Sequence, residues 1–143
     1  MIKRFADEYR WASNFAACDV VLDDVVYPSV EHAYVAAKTI NTQQRLDLLD
    51  MTAGEAKRVG RAFDIREDWL DIKIAVMTDL LNQKFSQQPF KELLLATGDE
   101  IIIEGNWWGD LFWGMNLECT EGENNLGKLL MSIRSRLQNS TGI

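Results

Sequence analysis

Apolar residues recur at spacings of three and four over residues 68–86, which predicts one long amphipathic helix. Its buried face would consist of Trp69, Ile72, Val76, Met77, Leu80, Leu81 and Phe85. A similar pattern predicts a last helix from about Leu126, with Lys, Ser and Arg on its outer face. Its inner face would consist of Leu126, Leu129, Leu130, Ile133 and Leu137. These two segments predict a mainly helical core.

Shorter helices are marked by capping signals. Ser29 is placed to cap a helix that runs to about Thr39. The spacing of Thr52 and Glu55 is that of a capping box, and this helix should continue to about residue 61. Pro89 should open another helix, which stops at 97–98 in a Thr-Gly pair.

Strands are predicted at two places. Residues 18–27, CDVVLDDVVY, are rich in β-branched residues around an Asp-Asp pair, which predicts a hairpin or two strands with a tight turn, ended by Pro28. Residues 101–104, IIIE, predict a buried strand. Residues 104–116, EGNWWGDLFWGMN, alternate Gly with Trp and predict a loop. The predicted fold class is therefore mainly α (α+β), a compact helical fold with a few short strands.

Composition narrows the class of protein. The chain has 143 residues, of which 47% are hydrophobic, and no linker or repeat interrupts it, so we expect a single domain over 1–143. The absence of a leader pattern and of a long apolar run predicts a soluble, cytoplasmic protein without a membrane partner. The net charge of −7 argues against binding duplex nucleic acid through its phosphates, but it leaves room for a local basic pocket. Cys18, Cys119 and His32 have no disulfide or zinc spacing, so neither a metal nor a cofactor is expected.

Glu31, Tyr34 and Lys38 share one face of the first predicted helix over two turns. The simpler interpretation is a solvated face with a weak Glu–Lys pair. The functional interpretation makes Glu31 a catalytic carboxylate at a helix N-terminus, where the dipole favours its ionised form. His32 lies one position further round the helix, and we interpret it as a hydrogen-bonded structural residue.

Two segments could bind an anion. ENNLGKLL, residues 123–130, combines an Asn N-cap, free helix amides and Lys128, although it lacks the P-loop pattern. EAKRVGR, residues 55–61, places Arg58 and Arg61 on one face. For each segment alone, the simpler interpretation is an ordinary surface charge. The aromatic residues of the 104–116 loop could pack on the core or stack on a planar ligand, and the sequence leaves both open.

Nine segments, in this order, resemble the NADAR family, also called YbiA-like proteins. They are SNF (13–15), YPSVEHAYVAAK (27–38), EAKRVGR (55–61), DWLDIKIAVM (68–77), KF (84–85), LLLATGD (93–99), IIIEGN (101–106), DLFWG (110–114) and NLGKLLMSIR (125–134). The resemblance covers nearly the whole chain. It implies a compact, mainly helical YbiA-like fold and hydrolysis of N-glycosidic bonds.

The resemblance implies two classes of substrate. One is ADP-ribosylated guanine in nucleic acid or nucleotides, from which ADP-ribose is removed, and the other is a phosphorylated intermediate of riboflavin biosynthesis. For either, Glu31 is expected to be the principal catalytic carboxylate, with Asp110 second and Lys38 holding Glu31 or a phosphate. The expected substrate-binding residues are Ser13, Asn14, Phe15, Tyr34, Arg58, Arg61, Trp113, Gly114 and Lys128.

Two other classes of function stay open. A module that holds ADP-ribose or NAD without cleaving it would use the same residues with an idle Glu31. An acidic protein that binds a partner would use only the net charge, and it leaves the nine segments unexplained. Val35 departs from the glutamine that the family often has there, and Trp108, the second tryptophan of the Trp107–Trp108 pair, and Gly109 are also unusual. The sequence carries no signal of oligomeric state.

Overall fold

A computed structural model describes residues 1–141 of the chain. In it the chain divides into two units, one made of Asn14–Lys84 and one made of Met1–Ser13 together with the segment that begins at Phe85. The single domain expected over 1–143 stays a prediction. Within residues 1–141, no helix is both long and apolar enough to cross a membrane.

The 14–84 unit begins with the predicted hairpin. Strands β1 (Ala17–Leu22) and β2 (Val25–Ser29) pair antiparallel. Asp23 and Asp24, with φ of 47° and 67°, form the turn, because short polar side chains tolerate the left-handed conformation that a tight hairpin requires.

Pro28 does not end the second strand, so that prediction is wrong. Strand β2 continues through Pro28 to Ser29, which pairs with Ala17. The register shifts between Ala17 and Val20, opposite the proline, so the sheet is irregular where Pro28 cannot donate a hydrogen bond. In a two-stranded sheet both strands are edges, where proline is tolerated.

Helix α1 (Val30–Ala37) is the centre of this unit. Ser29 caps it as predicted, since its side chain accepts a hydrogen bond from the His32 amide. All eight residues of α1 are buried, because the helix packs against both strands and against helix α3 (Ala53–Gly60).

The remaining helices of the unit are α2 (Thr42–Asp47), a 3₁₀ turn (Leu48–Asp50), α3 and the long α4 (Trp69–Phe85). The capping box of Thr52 and Glu55 is present in full, and α4 matches the predicted amphipathic helix. Helix α2 was not predicted, although its cap, Asn41, is an ordinary N-cap residue whose side chain accepts from the Gln44 amide.

The other unit contains a 3₁₀ helix (Asp7–Ala12), α5 (Phe90–Leu95), strands β3 (Gly105–Asn106) and β4 (Met115–Asn116), and α6 (Asn125–Thr141). Helix α5 packs on α6 and on the 3₁₀ helix. The apolar core of this unit is formed by Ile2, Ala12, Phe85, Leu94, Ile102, Leu126, Leu130 and Ile133. The two units together have the mainly helical α+β content that the pattern predicts.

The strand predicted over 101–104 is wrong. Only Ile102 forms a bridge, parallel to Ile2, and Ile101 is half exposed. Beyond this bridge the Gly105 amide donates to the Lys3 carbonyl at 3.1 Å. The Asn124 side chain bonds to the other edge of the segment, where Oδ1 accepts from the Glu104 amide at 3.0 Å and Nδ2 donates to the Ile102 carbonyl at 2.9 Å.

Candidate active site

Asn14 and Glu31 are brought together in the 14–84 unit. The Glu31 amide donates to the Asn14 carbonyl at 3.0 Å, which joins the segment before β1 to the first turn of α1. Asn14 Nδ2 lies 3.6 Å from Met77 Sδ, and its Oδ1 is buried without a hydrogen-bond partner among the described residues. A buried carbonyl oxygen without a partner costs about 1–3 kcal/mol. Such an atom is a candidate contact for a donor on a ligand.

Glu31 and Tyr34 lie on a buried face of α1, so the solvated-face interpretation does not hold. Their exposed fractions are 9% and 7%. Tyr34 packs on Trp69 with ring centroids 5.1 Å apart, and the Lys38 ammonium lies 5.4 Å from the Tyr34 ring centroid. A carboxylate, a phenol ring and an ammonium therefore follow one another along two turns of a single helix.

His32 has the structural role expected of it. Its Nδ1 lies 2.6 Å from Ser29 Oγ, and its Nε2 lies 2.7 Å from the Met51 carbonyl oxygen. Both ring nitrogens are engaged, so the ring fixes the start of α1 against the segment before α3.

The basic residues of the unit lie on and after α3. The Lys57 ammonium lies 5.7 Å from the Phe15 ring centroid, a cation–π distance. Arg58 and Arg61 are exposed at the C-terminal end of the helix, where the dipole favours cations. Phosphate binding by either arginine stays a prediction.

Lys84 is a candidate that the sequence analysis did not single out. Its side chain is fully buried near the end of α4. Burial lowers its pKa from 10.5 to about 8, and the charge of the nearby Cys18 raises it in part. A lysine with such a pKa has a larger unprotonated fraction at neutral pH than an exposed one. The signal was present in the sequence, since Lys84 lies three residues after Leu81 on the apolar face of α4.

Asp110 organises the 104–116 loop of the other unit. Its Oδ1 accepts from the amides of Phe112 at 3.2 Å and Trp113 at 2.9 Å. The Asn106 side chain donates to the Asp110 carbonyl and accepts from its amide, at 2.9 and 3.1 Å. The Phe112 and Trp113 rings meet edge to face at 4.8 Å. Asp110 therefore has a local structural role, and its catalytic role stays a prediction.

The glycines of this loop make room for the chain itself. A Cβ at Gly105 would lie 2.1 Å from the Lys3 carbonyl oxygen, and one at Gly114 would lie 2.3 Å from the Glu104 carbonyl oxygen. Only at Gly109, with φ of 89°, does a Cβ meet no atom within 4 Å. At Gly105 and Gly114 the missing side chain therefore leaves room for neighbouring backbone, and the contact of Gly114 with a substrate stays a prediction. Glu104, whose Oε2 is buried, is a further carboxylate that the sequence analysis missed.

The N-terminus of α6 does not offer the free amides that we expected. The amides of Asn125 and Leu126 donate to the carbonyls of Phe112 and Trp113 at 3.1 and 3.0 Å. Lys128 is exposed in the first turn. Its contact with a phosphate stays a prediction, but it would act through its ammonium without these amides.

The predicted site residues are thus divided between the two units. The 14–84 unit holds Asn14, Phe15, Glu31, Tyr34, Lys38, Arg58 and Arg61. The other unit holds Ser13, Asp110, Trp113, Gly114 and Lys128. Over residues 1–141, no three His, Cys, Asp or Glu side chains come together in a group that could hold a metal ion.

Comparison with known proteins decides the family. The sequence profile of the NADAR domain matches residues 2–138. The chain belongs to the NADAR family. It is 33% identical to the N-glycosidase YbiA of Escherichia coli, over 92% of this chain and 84% of YbiA. It is 34% identical to an N-glycosidase of Nostoc punctiforme, over 92% of this chain and 87% of that protein.

A second kind of NADAR relative is longer. A riboflavin biosynthesis protein of Vibrio vulnificus is 34% identical over 92% of this chain, which spans 36% of that protein. Among solved structures, the NMR structure of Escherichia coli YbiA superimposes with a TM-score of 0.82 at 30% identity, covering 99% of this chain and 89% of that one. The predicted family, the α+β fold class and the reaction class, hydrolysis of an N-glycosyl bond, are confirmed.

Val35, where the chain departs from the NADAR pattern, packs between two helices. Val35 is fully buried, and a Cβ placed at Gly60 of α3 would lie 2.5 Å from its Cγ1. In this chain position 35 therefore serves the packing of α1 on α3. Trp108, another departure, is 54% exposed, and the neighbouring Trp107 is 76% exposed.

Proposed function

We propose that this NADAR protein removes ADP-ribose from ADP-ribosylated guanine in a nucleotide or nucleic acid, with Glu31 as its principal catalytic carboxylate. The observation that supports this most is the buried position of Glu31 on the same helix face as Tyr34 and Lys38. An exposed surface glutamate would be screened by water, whereas a buried carboxylate acts strongly on charge that develops beside it.

The chemistry requires a carboxylate of this kind. When the bond from ribosyl C1 to nitrogen breaks, its electron pair leaves with the base and positive charge builds on the sugar. Glu31 would stabilise that charge and accept a proton from the attacking water, whose oxygen becomes bonded to C1. The departing nitrogen must be protonated or hydrogen-bonded. Trp113 would stack on the leaving base, and Asp110 is the second candidate carboxylate.

Other residues would hold the substrate. The Oδ1 atom of Asn14, buried without a partner among the described residues, can accept a hydrogen bond from a ligand hydroxyl or N–H group. Lys38, Arg58, Arg61 and Lys128 would bind phosphates, with Ser13, Phe15, Tyr34 and Gly114 completing the contacts. The expected partner is the substrate itself.

A second candidate substrate is favoured by the names of two relatives. The Vibrio vulnificus protein and a chloroplastic protein of Zea mays, 35% identical over 87% of this chain, are both riboflavin biosynthesis proteins. A phosphorylated riboflavin-pathway intermediate presents a ribosyl N-glycosidic bond and a phosphate, so the same residues would act on it.

Mass spectrometry of released products tests the proposal. The protein is mixed with guanine-ADP-ribosylated DNA, with the corresponding nucleotide and, separately, with a riboflavin-pathway intermediate. We expect free ADP-ribose from the wild type and a loss of at least about a hundredfold in turnover for Glu31→Gln, because that change removes a charge from the transition state. Substrate binding should persist, since glutamine preserves the shape of the side chain.

The matched control is Glu67→Gln, the same chemical change at an exposed position. This variant should release product at the same rate as the wild type. Cleavage of the pathway intermediate alone would replace the proposed substrate with the second candidate. Binding of ADP-ribose without release of product from any substrate would show a binding module, and full activity in Glu31→Gln would remove Glu31 from the mechanism.

A further inference from the structure

The tip of the 104–116 loop presents large apolar side chains to solvent. Trp107 is 76% exposed and Trp108 is 54% exposed, and their rings meet edge to face at 5.2 Å. Leu111 and Leu117 are exposed by 40% and 36%. Grouped exposed apolar residues on a folded surface mark interaction sites, and tryptophan is among the residues most enriched at binding hot spots.

Hydrogen bonds and a strand pair fix the conformation of this loop. The two hydrogen bonds between Asn106 and Asp110 close the 106–110 turn that carries both tryptophans. Strands β3 and β4 pair at its base. A surface that is ordered before binding loses less entropy when a partner arrives.

Exposed carboxylates follow this apolar tip along the chain. Residues 104–123 contain five Asp or Glu and no Lys or Arg. Glu118, Glu121 and Glu123 are exposed. The segment that carries them folds back on the loop, because the Glu123 amide donates to the Leu111 carbonyl at 2.7 Å and the Asn116 amide donates to the Glu121 carbonyl at 2.7 Å.

We propose that this tryptophan surface, formed by Trp107, Trp108, Leu111, Leu117 and the carboxylates of 118–123, docks an arginine-containing basic segment of a partner protein. A guanidinium stacks on indole faces and pairs with carboxylates through its planar fork, so one side chain can use both features of the surface. The carboxylates repel nucleic-acid phosphates, so charge favours a basic polypeptide as the occupant.

This docking site is independent of the proposed hydrolysis, and either can fail alone. The probe is an end-blocked oligo(Gly-Arg) peptide, titrated by calorimetry and indole fluorescence beside a peptide in which citrulline replaces every arginine. Citrulline keeps the shape and removes the charge. We expect the citrulline peptide to bind at least roughly tenfold more weakly than the arginine peptide. The arginine peptide should bind at least roughly tenfold more weakly to the Trp107→Ala, Trp108→Ala protein, because the cation–π contacts are lost.

Charge variants separate a local site from diffuse attraction. Glu118→Gln with Glu121→Gln and Glu123→Gln should weaken binding of the arginine peptide roughly tenfold. A control with the same net charge, Asp50→Asn with Asp64→Asn and Glu67→Gln, changes exposed carboxylates outside the loop and should change binding less than about twofold. Because the altered side chains are exposed, unchanged urea unfolding is expected, and the single Trp107→Ala variant provides a second test of the tryptophans.

Three results would overturn the proposal. The control charge variant could weaken binding as much as the loop variant does, which would make the attraction diffuse. Oligothymidylate could bind with dependence on Trp107 and Trp108, which would assign the surface to single-stranded nucleic acid. Finally, the arginine peptide could fail to bind or could bind equally to the tryptophan variants.

Discussion

Lys84 lies in surroundings that its charged side chain does not prefer. It is fully buried, and burial lowers its pKa from 10.5 to about 8. Removing an ammonium from water disfavours the charged form, and the charge of Cys18 compensates only in part. The folded protein therefore loses this proton in a pH range where the unfolded chain still holds it.

The stability of the protein should consequently rise with pH between the two values. Between pH 8 and 10.5 the unfolded chain binds more protons at this position, so the free energy of unfolding increases with pH. Across this pH interval, the free energy of unfolding of the wild type should rise by up to about 3 kcal/mol relative to that of Lys84→Met. Urea unfolding of both proteins at several pH values measures the difference in the free energy of unfolding. The titration of groups that do not interact with Lys84 cancels in this difference.

The control is Lys128→Met, at an exposed position in α6. The difference in the free energy of unfolding between Lys128→Met and the wild type should change little with pH in this interval. If the difference in the free energy of unfolding between Lys84→Met and the wild type is also independent of pH, Lys84 stays charged over the whole interval and the proposed environment is wrong.

At the residue scale, the sequence could predict local interactions but not burial. Ser29 and Thr52 cap the helices as expected, because a cap depends on amides two or three residues away. Glu31 has the same helix position that the sequence predicts. Its burial, however, arises from the elements packed around α1, and no local pattern contains that information. The same is true of the Asn14 oxygen that has no hydrogen-bond partner among the described residues.

At the scale of elements, the contact between α1 and α3 depends on Gly60. A Cβ there would lie 2.5 Å from Val35 Cγ1, and a β-branched side chain has little freedom to move away. A Cβ added at Gly54, in the same helix, would have Phe15 Cε2 as its nearest neighbour, at 4.0 Å. The two glycines therefore allow the same substitution to be tested with and without a clash.

Gly60→Ala should destabilise the protein by about 1–3 kcal/mol, because α1 and α3 must separate. Gly54→Ala should have no effect or stabilise it by up to about 1 kcal/mol, since alanine favours the helix. Urea unfolding of both variants measures these values. Val35→Ala should recover part of the loss when it is combined with Gly60→Ala. Equal effects of the two glycine substitutions would show that α1 and α3 are not in close contact at this point.

The elements that the sequence failed to predict depend on distant partners. The hairpin turn and the long helix α4 follow from patterns within a few residues, and both were predicted. The IIIE segment has the composition of a buried strand, yet of its residues only Ile102 forms a bridge, to Ile2 in the distant N-terminal segment. The Asn124 side chain bonds to the other edge of the segment. The close packing at Gly105 and Gly114 is likewise set by chain segments that no periodicity reveals.

For the whole molecule, the distribution of charge favours one form of the proposed substrate, a nucleotide or a nucleic-acid chain, over the other. The chain has a net charge of −7, and residues 104–123 contain no cation. The basic residues Lys57, Arg58 and Arg61 form a short group at α3. Such a group can hold the few phosphates of a nucleotide, whereas the rest of a nucleic-acid chain would be repelled by the acidic surface.

We therefore expect an ADP-ribosylated guanine nucleotide to be cleaved with higher kcat/KM than an ADP-ribosylated oligonucleotide at low ionic strength. The preference should shrink as salt is added, because screening weakens the repulsion of the longer polyanion. Product release measured for both substrates over a salt series tests this. A protein that holds nucleic acid by its phosphates behaves in the opposite way, since its affinity falls steeply with salt. A steep fall of kcat/KM for the oligonucleotide, together with better cleavage of the oligonucleotide at low salt, would mean that a basic path for the strand exists despite the net charge.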